Sequence, residues 1–277
     1  MLRSMLVGLD GSAFSNSAVQ LSISWARQFG ALLAGLGIVD QPGICRQEPV
    51  PLGAGHYKSQ RDRVRLADAG RRVEEILQAF AARCTAEGVS HILLKDIGMP
   101  EQQIVQESRM YDVTMLGQQT YFHFQTQDWP DETLRKVLRQ ISRPVVTVPE
   151  SLPCGTSVLV AYDGSPHADR ALQAFLSLGL QGSDPVHVLA IDAERSTAER
   201  LAEQAVQFLA LHDIEAMPHS IGSKKWEDKV ILDQVEVVDA RLLVMGAYGR
   251  SLWQELAFGS VTTRVLAAGR VPLFLCH

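Results

Sequence analysis

Short apolar runs that end in an aspartate or a glycine alternate along this chain with stretches whose apolar residues recur every three or four positions. The first run, residues 5–9, closes in Asp10-Gly11-Ser12, and a later one, residues 158–162, closes in Asp163-Gly164-Ser165. Each predicts a buried strand ending in a turn. Helical spacing follows both turns, carried by Ala18, Leu21, Trp25 and Phe29 in one case and by Ala168, Ala171, Leu172, Phe175 and Leu176 in the other. Ser165 before Pro166 reads as a helix cap with proline at the first helical position, where its missing N–H costs nothing.

The likeness of the two halves continues. Residues 32–39 and 186–191 predict second strands closed by Asp40 and Asp192, and helices follow with apolar faces on Val73, Ile76, Leu77 and Phe80 and on Leu201, Ala205, Phe208 and Leu209. Third runs at residues 92–94 and 216–221 lead to the glycine turns at Gly98 and Gly222, and fourth runs at 113–116 and 242–245 deliver the chain to Gly117 and Gly246. The closing segments also match, Arg143-Pro144-Val145-Val146 against Arg270-Val271-Pro272-Leu273. Strand alternating with helix through both halves predicts an α/β chain of two tandem doubly wound, Rossmann-like parallel-sheet domains, at residues 1–150 and 156–277. Pro153-Cys154-Gly155 is the expected linker. One insert, near residues 41–65, has no counterpart in the second half; its prolines and glycines and the charged run at 58–65 predict a surface loop leading into an extended helix.

Composition narrows the partners. With 277 residues, a net charge of −5 and 21% charged residues, the chain has no basic excess that would point to nucleic acid. The N-terminal apolar run is too short for a signal-peptide core or a membrane span, so a cytoplasmic location is expected. Cys45, Cys84, Cys154 and Cys276 show no C-x-x-C spacing, which fits reduced, structural thiols.

The candidate chemistry concentrates at residues 245–260, M-G-A-Y-G-R-S-L-W-Q-E-L-A-F-G-S. Glycines at 246, 249 and 259 allow close backbone approach, and Ser260 at a helix start offers an N–H and a hydroxyl to an anion; the same glycines also suit ordinary turns. Ligands of doubly wound sheets sit beyond the carboxyl ends of the strands, where strand order reverses. Asp163, Ile191 and Gly246 all fall at predicted strand ends, so three distant elements converge on one crevice. That convergence favours a ligand site over turns alone.

These residues resemble the universal stress protein family in its tandem two-domain form: V-A-Y-D-G-S, then V-M-G, then G-A-Y-G-R-S-L-W-Q-E-L-A-F-G-S-V-T, then R-V-P-L-F-L. The resemblance spans the chain, with the glycine motif specific to the second half. It implies an adenine nucleotide alpha hydrolase-like fold and an adenine nucleotide, usually ATP, with ADP or AMP as alternatives. Its phosphates would lie along Gly246, Gly249, Gly259 and Ser260. Val261 and Thr262 would extend the phosphate-binding helix, Thr262 with a further hydroxyl, and Ile191 would lie where backbone groups contact adenine. Arg250 is suited to a phosphate, or is an exposed loop residue. Asp163 suits ribose hydroxyls or a phosphate-bound Mg²⁺ ion; the structural alternative is a turn aspartate capping the next helix.

The first half departs from that pattern. Sliding Gly246 onto Gly117 places Thr120, Pro130 and Asp131 at the positions of Gly249, Gly259 and Ser260. Proline lacks the donor N–H and a carboxylate repels phosphate, so no nucleotide is expected there by this mode. Tyr121, Phe122, His123, Phe124 and Trp129 make the loop aromatic, which suits packing or a different ligand. No G-x-x-x-x-G-K-[ST], G-x-S-x-G or H-E-x-x-H motif occurs, and His167 is the one histidine expected near the second-half crevice, as an exposed helix-start residue. The expected function is a nucleotide-dependent stress-response switch that engages a signalling protein. A slow ATP hydrolase or phosphotransferase and a nucleotide-independent scaffold are the alternatives. Free strand edges also allow a homodimer.

Overall fold

The computed structural model describes residues 1–49, 51, 55–123, 131–223, 227–247 and 260–276. Two compact units divide the chain, Arg3–Ile141 and Ser142–His277, the latter with Met1–Leu2. The first unit runs β1 (Ser4–Leu9), α1 (Ala13–Phe29), β2 (Leu32–Val39), α2 (Gln41–Ile44), α3 (Gly55–Ala86), β3 (His91–Ile97), α4 (Pro100–Ser108), β4 (Val113–Gly117) and α5 (Thr133–Gln140). The second runs β5 (Val145–Val148), β6 (Ser157–Ala161), α6 (Pro166–Leu178), β7 (Val186–Asp192), α7 (Arg195–Ala210), β8 (Ala216–Gly222), α8 (Glu227–Val237), β9 (Ala240–Gly246), α9 (Ser260–Ala268) and β10 (Leu273–Cys276).

The α/β class holds. In the first unit the strand order is β3-β2-β1-β4, with Leu6 opposite Ala34 and Thr114 in parallel register. In the second it is β5-β10-β9-β6-β7-β8, parallel except where β5 meets β10. Central strands such as β1 and β2 are buried almost throughout, so their sequences are continuous apolar runs. The edge strands β3 and β8 have one free side and intermittent exposure, which explains the less apolar composition of residues 216–221. In the second core, Phe175 and Phe274 meet edge-on at 6.3 Å, both fully buried, and each contributes about 2–3 kcal/mol by removal from water.

One feature differs from the expected layout. β5 pairs antiparallel with β10, Val146 opposite Phe274, so the compact division falls after Ile141 although the sequence repeat places the end of the first domain at residue 150. A four-residue apolar strand needs a partner, and its own pattern does not say which one. The extended helix expected after the insert is present and takes in the charged run: α3 covers 32 residues, with Ala69, Val73, Leu77, Phe80 and Cys84 on its buried face. Asp62 is buried near its start, held by Lys58 Nζ at 2.6 Å and by Arg61. No helix among the described residues is long and apolar enough to cross a membrane.

Candidate functional site

In the second unit the chain proceeds from β6 to β7 and β8 on one side and to β9 and β10 on the other, so strand order reverses between β6 and β9. Ala161 lies opposite Met245 at that boundary. Asp163 therefore lies two residues past the carboxyl end of β6, and Gly246 is the last residue of β9. The D-G-S turn is built from local hydrogen bonds: the Ser165 N–H donates to Asp163 Oδ1 at 2.9 Å, and the Ala168 N–H donates to Ser165 Oγ at 3.2 Å, capping α6. Gly164 adopts φ +69°, a conformation that side chains disfavour, and Leu201 packs where its Cβ would be. Asp163 stays half-buried at the rim.

Gly246 has a packing reason of its own. A Cβ there would lie 2.6 Å from the Ala168 nitrogen and 2.7 Å from the His167 carbonyl carbon, so the first turn of α6 rests directly on the end of β9. Ile191 is half-buried near the end of β7, opposite Ile221, and Asp192 Oδ1 accepts the Glu194 N–H at 3.0 Å. α9 begins at Ser260, with Val261 half-buried and Thr262 buried in its first turn. Arg264 Nε ties this helix to α8 through Asp228 at 2.9 Å. Gly249, Arg250, Gly259 and the Ser260 side chain lie outside the described residues. His167 is half-buried, where exposure was expected; burial lowers its pKa, and neighbouring Arg170 adds to the effect.

The first unit repeats the turn and closes the crevice. The Ser12 N–H donates to Asp10 Oδ1 at 2.9 Å, Ser12 Oγ caps α1 through the Ser15 N–H at 3.1 Å, and a Cβ on Gly117 would lie 2.6 Å from Phe14 Cβ. Asp10 differs from Asp163 in its second oxygen, which accepts the Tyr121 N–H at 2.7 Å. It is 3% exposed, and burial raises its pKa against the lowering effect of the Ser12 and Tyr121 hydrogen bonds. Phe122 is fully buried. His123 Nδ1 lies 2.6 Å from Asp40 Oδ2, and its Nε2 lies 3.2 Å from Thr133 Oγ1 and 3.7 Å from Asp131 Oδ1. Side chains of the unit itself thus fill the ends of β1 and β2.

Sequence reasoning placed His123 in the aromatic loop but missed its pairing with Asp40. The signal was present in two pieces, a strand-closing Asp40 and an aromatic loop, but only folding pairs residues 83 positions apart. Phe124 and Trp129 of that loop lie outside the described residues. Among the described residues, no group of three or more His, Cys, Asp or Glu side chains is arranged to hold a metal ion.

Residues 156–277 match the Universal stress protein family model. Over 177 residues the chain is 27% identical to a universal stress protein of Synechocystis sp., an alignment covering 59% of this chain and 57% of that protein. The chain thus spans little more than half the length of that curated relative. Among solved structures, it superposes on a universal stress protein from Archaeoglobus fulgidus DSM 4304 with a TM-score of 0.73 at 22% identity, covering 99% of this chain and 97% of the other. A candidate universal stress protein from Pseudomonas aeruginosa UCBPP-PA14 gives a TM-score of 0.62 at 15% identity, covering 99% and 93%. Residues 156–277 are therefore similar in sequence to the universal stress protein family, and the chain shares the fold of a solved universal stress protein.

Proposed function

We propose that the second unit binds one adenine nucleotide and that the chain acts as a stress-response switch rather than an efficient enzyme. The observation that carries this reading is the placement of Asp163 just past the end of β6 and of Gly246 at the end of the neighbouring β9, at the reversal of strand order where such sheets take ligands. The residues present fit the ligand. Asp163 is half-buried with a carboxylate suited to ribose hydroxyls or a phosphate-bound Mg²⁺ ion, and α9 starts at Ser260, where the first N–H groups of a helix, which have no acceptor within the helix, favour an anion. Gly249, Arg250 and Gly259 supply the rest of the family's spacing from the sequence. ATP is the first expectation, with ADP and AMP fitting the same chemistry. A cytoplasmic location, a signalling protein partner and a homodimer complete the proposal.

Thermal stabilisation by ATP with Mg²⁺ tests it. A ligand at a hundred times its Kd stabilises the folded state by about 2.7 kcal/mol. Gly259→Asp, which places a carboxylate at the position the family uses for phosphate, abolishes that gain. Absence of any shift at millimolar ATP overturns the proposal. Steady phosphate release that vanishes in Asp163→Ala while binding persists would establish the hydrolase instead.

A further inference from the structure

We infer that His123 is a proton-dependent brace of the first unit: as imidazolium it ties Asp40 to Asp131 across the crevice, and on losing its proton it lets go of the Asp131 side. The geometry allows two arrangements. With both ring nitrogens protonated, Nδ1–H donates to Asp40 Oδ2 at 2.6 Å, while Nε2–H points to Thr133 Oγ1 at 3.2 Å, with Asp131 Oδ1 at 3.7 Å. With a neutral ring, Nδ1–H keeps Asp40. Nε2 then becomes an acceptor, the Thr133 hydroxyl must reverse to donate, and Asp131 faces a lone pair in place of a positive charge.

The surrounding charges select the first arrangement. Asp40 reaches the ring from the end of β2, Asp131 from the residues before α5, and Glu101 from α4. Asp10 at the end of β1 is electrostatically coupled to Asp131. Lys136 of α5 is engaged by Glu101 at 3.1 Å. Asp131 Oδ2 is buried with no hydrogen-bond partner among the described residues, and Oδ1 accepts the Thr133 N–H, so the ring 3.7 Å from Oδ1 adds a countercharge to a desolvated carboxylate. Burial alone would lower the His123 pKa. The Asp40 hydrogen bond and the charges of Asp131, Asp40 and Glu101 outweigh burial and raise it above 6.5.

Both carboxylates also hold helix starts. Asp40 Oδ1 accepts the Gly43 N–H at 2.9 Å in α2, and Asp131 Oδ1 accepts the Thr133 N–H at 2.7 Å at the head of α5. The ring therefore couples the end of β2, the loop after β4 and the start of α5. Because the folded pKa is raised, this stabilisation is fully present below the unfolded value and is lost as pH rises through the folded one. Acidification locks the crevice and alkalinisation loosens it.

The test uses the full chain with ¹⁵N-labelled histidine, together with amide-exchange protection factors for peptides covering α2 and the start of α5, between about pH 6 and 9. His123 should titrate above an ordinary histidine. Protection of those peptides should fall about tenfold through the same midpoint, while peptides from α6 and α7 stay unchanged. His123→Gln removes the pH dependence. Should that variant fail to fold, Asp131→Asn keeps the Nδ1 contact with Asp40 and moves the His123 midpoint to lower pH. A His123 midpoint at or below the ordinary value, or protection profiles identical in wild type and Asp131→Asn across the range, overturns the inference.

Discussion

Asp10 and Asp163 stand at the same point of the same turn, two residues past or directly after a central strand, each accepting the N–H of the serine two positions on at 2.9 Å. One is sealed under the Tyr121 backbone at 3% exposure, and the other remains half-buried at a rim. The turn is a folding device before it is a ligand device. It reverses the chain, caps the following helix and needs glycine at φ +75° or +69° whether or not anything binds. In the first unit, residues that follow β4 meet this turn: the Tyr121 N–H reaches Asp10, and the side chains of Phe122 and His123 are buried, His123 against Asp40.

The largest effects should come from the feature that the units share. Gly246→Val would force a side chain into the α6 backbone, and Gly117→Val one into Phe14, each costing about 3 kcal/mol or more in its own unit. Denaturant melts read by unit-specific exchange would show this, and a tolerated valine would show that neither helix rests on the strand end. Asp10→Ala should cost about 2–3 kcal/mol, because two backbone N–H groups lose their acceptor in a buried setting. The matching Asp163→Ala should cost below about 1 kcal/mol, losing one half-buried turn bond, yet weaken nucleotide binding. Equal stability losses would erase the contrast between the sites. The smallest effect should come from Thr120→Gly with Pro130→Gly and Asp131→Ser, which restores the family's residue types in the first half. Calorimetry should still find one nucleotide per chain, because the Tyr121 backbone still holds Asp10 and the Phe122 and His123 side chains stay buried beside it. A second binding event would place the block in those three residues alone.

Much of this was legible in one dimension. Every strand run read from the sequence is a strand, because residues buried on both faces of a parallel sheet leave continuous apolar patterns. The edge strands were harder; β3 extends to His91–Ile97 from an apolar core of only three residues, since a half-exposed strand tolerates Lys95 and Asp96. Of the candidate site, Asp163, Ile191, Gly246 and the start of α9 fall at the expected element ends. The reason for glycine at 246 was not legible, because the backbone it touches, at His167 and Ala168, is almost eighty positions away.

By itself, the order of residues determined the repeat, the element types, the D-G-S turns and the unequal glycine motif, all of which depend on local spacing and local conformational cost. Three other matters were decided only in three dimensions. β5 pairs with β10, the second oxygen of Asp10 goes to Tyr121, and His123 sits between Asp40 and Asp131. Each is a contact between segments far apart along the chain, and periodicity carries no information about which distant partner a buried polar group or an apolar strand will find.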